Sequence, residues 1–167
     1  MDITDGDEDL ADFQTVATTR LPNTYMIDAY IVFGEQVDLS YPGIPGDSKH
    51  RRVEKQLDGR YFHRKTGQYF QHAEQFYLLR VLFKALDNDD LSFEAFLFDD
   101  AGRTLFGMKC DALVKLREDD QEAFYALMRQ KNRSRVRALI NVTPGVFDVI
   151  NDETRMKYSV NKLVLLD

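Results

Sequence analysis

The stretch Phe76–Gly107, FYLLRVLFKALDNDDLSFEAFLFDDAGRTLFG, constrains this chain more than any other. Apolar runs rich in Phe and Leu fill Phe76–Leu86 and Leu91–Phe98. Between them Asp87-Asn88-Asp89-Asp90 supplies short polar side chains that bond back to their own backbone, so the two runs read as the arms of a β-hairpin. After Phe98 the apolar pattern stops, Asp99-Asp100-Ala101-Gly102 breaks the strand, and a glycine-marked entry to a helix follows. A hairpin that feeds a helix is the middle of a small β-barrel, provided the rest of the chain supplies the other strands.

It does so in order. Thr24–Gly34 alternates, with Tyr25, Ile27, Ala29, Ile31 and Phe33 on one face, which is the period of a half-buried strand. Phe13–Leu21 is short enough for one helical turn or an entry strand. Beyond the hairpin, Leu105, Phe106, Leu113, Leu116, Phe124, Leu127 and Met128 recur at helical spacing over Thr104–Gln130, with a break expected at Arg117–Gln121. Two further strands are expected at Arg135–Ile150 and Tyr158–Leu166, joined by a turn at Asn151-Asp152-Glu153-Thr154. Pro144 has no N–H to give, so the first of these strands should bulge there or lie at an edge. Residues 35–75 form an insert full of turn signals. Within it Arg60-Tyr61-Phe62-His63 and Gln68-Tyr69-Phe70 read as a small ribbon whose aromatics fill a miniature core. Strand, insert, strand, strand, helix, strand, strand predicts a mainly-β fold with α: a five-stranded OB barrel with its helix after strand 3.

Composition bounds the function. The 167 residues are 44% hydrophobic, enough for one domain over 13–167 with a real core. The formal net charge of −6 argues against indiscriminate nucleic-acid binding. All of it, however, lies in residues 1–12, where Asp2, Asp5, Asp7, Glu8, Asp9 and Asp12 meet no basic residue. This acidic leader is expected to be disordered. Between Lys49 and Lys65 the balance is basic: Lys49, Arg51, Arg52, Lys55, Arg60, Arg64 and Lys65 against Glu54 and Asp58. No run is apolar and long enough to span a membrane, and no secretory pattern opens the chain. The single cysteine, Cys110, excludes an internal disulfide and an all-cysteine zinc cage. No nucleophile–His–acid spacing, phosphate-cradling glycine loop or HExxH motif is present, so no enzymatic activity is expected.

Four local patterns then carry a resemblance. They are Val53-Glu54-Lys55 with Asp58-Gly59-Arg60-Tyr61-Phe62; Phe98 to Gly107 with Leu105-Phe106-Gly107; Glu122-Ala123-Phe124; and Asn151-Asp152-Glu153-Thr154-Arg155. In this order, across about Thr24 to Leu166, the chain resembles the C-terminal OB domain of the replication protein A large subunit and its paralogues. The resemblance implies nuclear DNA metabolism (replication, repair, recombination or telomere maintenance), single-stranded DNA as ligand, and the other subunits of such a complex as partners. It also implies a zinc ribbon with four cysteines in the insert. Here the first pair falls in Tyr41–Asp47 and the second at His63 and Thr66, so the ribbon is expected to persist as a fold without its zinc. A structural zinc held by His63, Asp47, His50 or His72 is the alternative.

In the family, bases stack on aromatics of the barrel surface. Phe98 aligns with one of these, whereas the other two positions fall near Glu94 and on Ile150, with Phe93 and Phe96 close by. The expected nucleic-acid-binding residues are Phe98, Arg51, Arg52, Lys55, Arg64, Lys65, Arg155 and Lys157, since Lys and Arg neutralise phosphates without reading sequence. A second basic run, Arg129, Lys131, Arg133, Arg135 and Arg137, has a structural explanation at a helix C-terminus. The competing expectation is a protein–protein assembly domain that has lost DNA binding, favoured by Glu94, Ile150, the missing cysteines and the acidic leader. The family's association helix follows its last strand, and this sequence stops at Asp167, so a monomer is expected in light scattering.

Overall fold

The computed structural model describes residues 3, 9–34 and 38–166. In chain order the elements are α1 (Phe13–Thr18), β1 (Asn23–Phe33), β2 (Ser40–Gly43), β3 (Glu54–Lys55), β4 (Tyr61–His63), β5 (Gln68–Phe70), β6 (Glu74–Lys84), β7 (Ser92–Phe98), α2 (Asp99–Phe106), α3 (Cys110–Asp119), α4 (Gln121–Lys131), β8 (Ser134–Asp148) and β9 (Glu153–Leu165). None of the described helices is long and apolar enough to cross a membrane.

Five strands pair around a ring. β1 lies antiparallel to β8, β8 to β9, and β7 to β6, while β7 and β9 run parallel through Phe96–Ser159 and Leu97–Val160. β6 returns to β1 through Tyr30–Phe33 against Lys84–Val81. The ring closes unevenly, because the parallel seam is only two residue pairs long. Strand alternation fills its interior: Ile27, Ala29 and Ile31 from β1, Leu79, Val81 and Phe83 from β6, Phe93, Ala95 and Leu97 from β7, and Val136, Ala138 and Ile140 from β8 are all buried in one cluster. Tyr25 and Phe33 are half-buried against it. Met26, on the opposite face of β1, is also buried, because Leu10 bridges it and the Ala11 N–H donates to its carbonyl at 2.8 Å. Of residues 1–12, positions 1, 2 and 4–8 lie outside the described residues, Ile3 is buried, and Asp12 caps α1.

The helical stretch between β7 and β8 starts earlier than the apolar period indicates and breaks twice. Gly107 takes a left-handed conformation (φ 70°) and its N–H donates to the Arg103 carbonyl at 2.8 Å, which ends α2. Asp120 caps α4 by accepting from the Ala123 N–H at 3.1 Å, inside the expected break. α2 starts directly on Phe98 because Asp99, buried at its first turn, accepts from the Tyr77 N–H at 2.9 Å and pairs with Arg103 Nε at 2.8 Å. Gly102 lies against the Tyr77 ring so closely that a Cβ would collide with it.

β8 shifts register between Pro144 and Phe147, so the proline is accommodated by a bulge. The turn between β8 and β9 occupies Val149 to Asp152, two residues earlier than the sequence pattern indicates. Glu153 and Thr154 instead pair with Asp148 and Phe147. The insert divides: β2 joins the outer edge of β6, while β3, β4 and β5 form a separate three-stranded sheet.

Candidate nucleic-acid interface

The alternation that buries Phe93, Ala95 and Leu97 turns Glu94, Phe96 and Phe98 to the outer face of β7. Arg80 of β6 is the register partner of Phe96, and its guanidinium lies 5.6 Å from the Phe96 ring centroid. From β9, on the other side, Lys157 Nζ lies 5.6 Å from the same ring. A half-exposed aromatic ring is thus flanked by two cations from two neighbouring strands. Arg80 Nε also meets Glu94 Oε1 at 3.1 Å, with both side chains largely in solvent. Phe98, the last residue of β7, is half-buried on the same face.

Sequence reasoning named Phe98 and Lys157 here, noted Phe96 only as lying close to the aligned positions, and did not name Arg80. The signal was present: Phe93 differs from Phe96 by an odd number of residues and from Ala95 and Leu97 by even ones. One face of β7 therefore reads Phe-Ala-Leu and the other Glu-Phe-Phe.

The basic residues of the insert fall into two places. Arg51, Arg52, Arg64 and Lys65 line one cleft of about 310 Å³ together with Glu54, Phe62 and His63. Lys55, exposed on β3, is not among its lining residues. Within the cleft, Arg51 donates from its backbone N–H and from Nε to Asp47 Oδ2, each at 2.9 Å. These bonds hold the Asp47 carboxyl well below the usual carboxylate range. Arg52 stacks over Tyr41 at 4.7 Å, and Arg64 pairs with Glu54 at 2.8 Å while remaining exposed.

The ribbon aromatics do not all close inward. Phe62, Tyr69 and Glu54 share a face by register, and Tyr69 is 51% exposed, whereas Val53 and His63 are buried. Arg155 pairs with Asp148 at 3.3 Å on the β8–β9 hairpin. Beyond that pair the hairpin tip presents Val146, Phe147, Val149 and Ile150 to solvent, Ile150 at 93% exposure.

Members of the second basic run serve the fold. Arg137 holds Asp28 through two bonds of 2.7 and 3.0 Å, and Arg133 pairs with Asp89 while stacking over Tyr30.

The donor set of a zinc ribbon is not assembled among the described residues. His63 Nδ1 is engaged with Thr66 Oγ1 at 2.8 Å, so the two positions where a cysteine pair is expected bond to each other. Asp47 is saturated by Arg51 and the Lys49 N–H. Cys110 sits buried in α3, its thiol pushed up to about 12 by burial. The one cluster of three potential ligands among the described residues is His50, Asp99 and Asp100, outside the ribbon, and there Asp99 already pairs with Arg103.

A family model described as the replication factor-A C terminal domain matches residues 24–167. Among solved structures the chain is similar to a replication protein A heterotrimer bound to single-stranded DNA, at 18% identity and a TM-score of 0.73. That match covers 90% of this chain and 34% of the other, so the chain spans about a third of it. It is also similar to yeast replication protein A bound to single-stranded DNA, at 21% identity and a TM-score of 0.71, covering 90% of this chain and 81% of that one. No curated protein matches the chain.

Proposed function

The chain belongs to the replication factor-A C-terminal domain family, and from that premise we propose that it holds single-stranded DNA on the outer face of β6, β7 and β9. The family is one of non-enzymatic single-strand-binding and assembly domains. The observation that carries the reading is Phe96, an outward ring between Arg80 and Lys157. A base laid on this ring would place its phosphates within reach of both cations, the combination that binds single strands without reading sequence. In this reading β1, β6, β7, β8 and β9 are the strands of the OB barrel, and α2 to α4 occupy the position after its third strand. The β3–β5 sheet is the family's ribbon, retained without zinc. The protein works in the nucleus, in replication, repair, recombination or telomere maintenance, alongside other subunits of a replication-protein-A-like complex.

The test is fluorescence anisotropy with a labelled single-stranded oligonucleotide titrated across salt. Binding is expected to weaken steeply with salt, and Phe96→Ala should cost about 1–3 kcal/mol, the value of one stacked base. Phe96 is half-buried on the outer face of β7 and outside the core cluster, and the melting temperature of the variant checks that its fold is kept.

A second reading is favoured by the hairpin tip. Four apolar side chains at Val146, Phe147, Val149 and Ile150 stand in solvent beside Asp148, Asp152 and Glu153, which suits an apolar protein surface better than a phosphate backbone. Absence of oligonucleotide binding even at low salt would select this assembly role.

A further inference from the structure

We propose that the cleft between the loop 44–53 and the β4–β5 turn receives one nucleotide of a bound single strand, its base on Phe62 and its phosphate on Arg64 and Lys65. This inference rests on the chain binding single strands, and adds a second contact point on the ribbon.

Three observations point to it. Strand alternation buries Val53 and His63 and leaves Phe62 and Tyr69 on the opposite face, their ring centroids 4.9 Å apart. The two rings are tilted by 40°, and the guanidinium of Arg60 covers the Tyr69 ring at 4.2 Å, so Phe62, Tyr69 and Arg60 form one stacked cluster at whose cleft side Phe62 stands. Beside it the cleft of about 310 Å³ is of the size that small ligands occupy.

Charge supplies the other half of a nucleotide. Arg51, Arg52, Arg64 and Lys65 bring four positive charges to the wall against the single carboxylate of Glu54. Arg51 is committed to Asp47 and Arg52 to Tyr41, so these two shape the wall. Arg64, 78% exposed, pairs with Glu54 at 2.8 Å, an exposed pair that a phosphate can replace at little cost. A phosphopeptide would use the cations and leave the ring surface idle; an unpaired nucleotide uses both.

The experiment uses two 5-iodouracil-substituted oligonucleotides, one of about 8 nucleotides, within the span of one OB barrel, and one of about 30, well beyond it. Irradiation with the longer strand should produce an adduct on the peptide containing Phe62. Phe62→Leu, and separately Arg64→Gln with Lys65→Gln, should each weaken binding of the longer strand by about tenfold and leave the shorter strand unaffected. The double glutamine variant alters exposed side chains only, so it decides the matter if Phe62→Leu disturbs the ribbon. Unchanged affinity in the folded variants, or an adduct confined to the Phe96 peptide, would overturn the cleft site and leave the barrel face standing. Capture of a phosphopeptide with no adduct at Phe62 would also overturn it. Failure of the unaltered protein to bind either strand would overturn both.

Discussion

Arg80 and Glu94 meet at 3.1 Å across β6 and β7, beside the ring of Phe96 over which Arg80 also lies. The pair is exposed, so it contributes at most about 1 kcal/mol to the fold. Its consequence is electrostatic: in the proposed binding mode this carboxylate would face the phosphates of a strand stacked on Phe96. Glu94→Gln is therefore expected to tighten oligonucleotide binding about threefold at low salt, a gain that shrinks as salt screens the charge. Anisotropy titrations at two ionic strengths would check this, and a loss of affinity would show that Glu94 orients Arg80 for binding.

Gly102→Ala should destabilise the protein by roughly 1–3 kcal/mol, the usual range for overpacking. Its added Cβ would meet the ring of Tyr77, which is itself fixed by a hydroxyl bond to the Met108 carbonyl at 2.9 Å and cannot retreat. Gly34→Ala, with open space around the new methyl group, is the control and should leave the melting temperature within error. Equal effects of the two would mean that α2 slides on β6 to make room.

The ring of strands was legible where a strand buries one face, as Ile27-Ala29-Ile31 announce by period alone, whereas β7 read only as an apolar run. The bulge at Pro144 was legible for the same local reason, a missing donor. The start of α2 at Asp99 was not, since it depends on Tyr77, far away in sequence, donating to a carboxylate that sequence alone reads as a turn residue. Burial of Met26 was hidden likewise, because the segment that covers it belongs to the N-terminal stretch. At the site, the basic residues could be named singly, but composition cannot say that Arg51 answers to Asp47 while Arg64 stays exposed. Phe96 was within reach of period-two reasoning and was masked by its two phenylalanine neighbours.

Acid should open the loop 47–51 locally. Arg51 holds the Asp47 carboxyl below its ordinary value of 3.8, so its stabilising effect is complete above that pH and is lost as pH falls below it. The protection of the Arg51 amide, whose N–H donates to Asp47, taken against intrinsic exchange at each pH, should fall in that range. Asp47→Asn should abolish the pH dependence at Arg51. It should leave intact the parallel acid response at Asn151, whose N–H donates to Asp148, another carboxyl held low, chiefly by the Asn151 side chain. Protection at Arg51 that stays constant with pH would mean the loop is held by its backbone turns alone.

The ribbon is expected to hold without metal. His63 is buried, and its Nδ1 bonds Thr66 Oγ1 at 2.8 Å. Chelator-washed protein should contain no stoichiometric zinc, and its melting temperature should not move when zinc is added or removed. The hydrogen bond then carries weight of its own. Thr66→Ala leaves a buried imidazole nitrogen unsatisfied and should cost about 1–3 kcal/mol, whereas Thr66→Ser should restore most of it. Stoichiometric zinc, with a melting transition that falls on chelation, would instead put an ion on Nε2, the nitrogen that the Thr66 bond leaves open, and would overturn the metal-free ribbon.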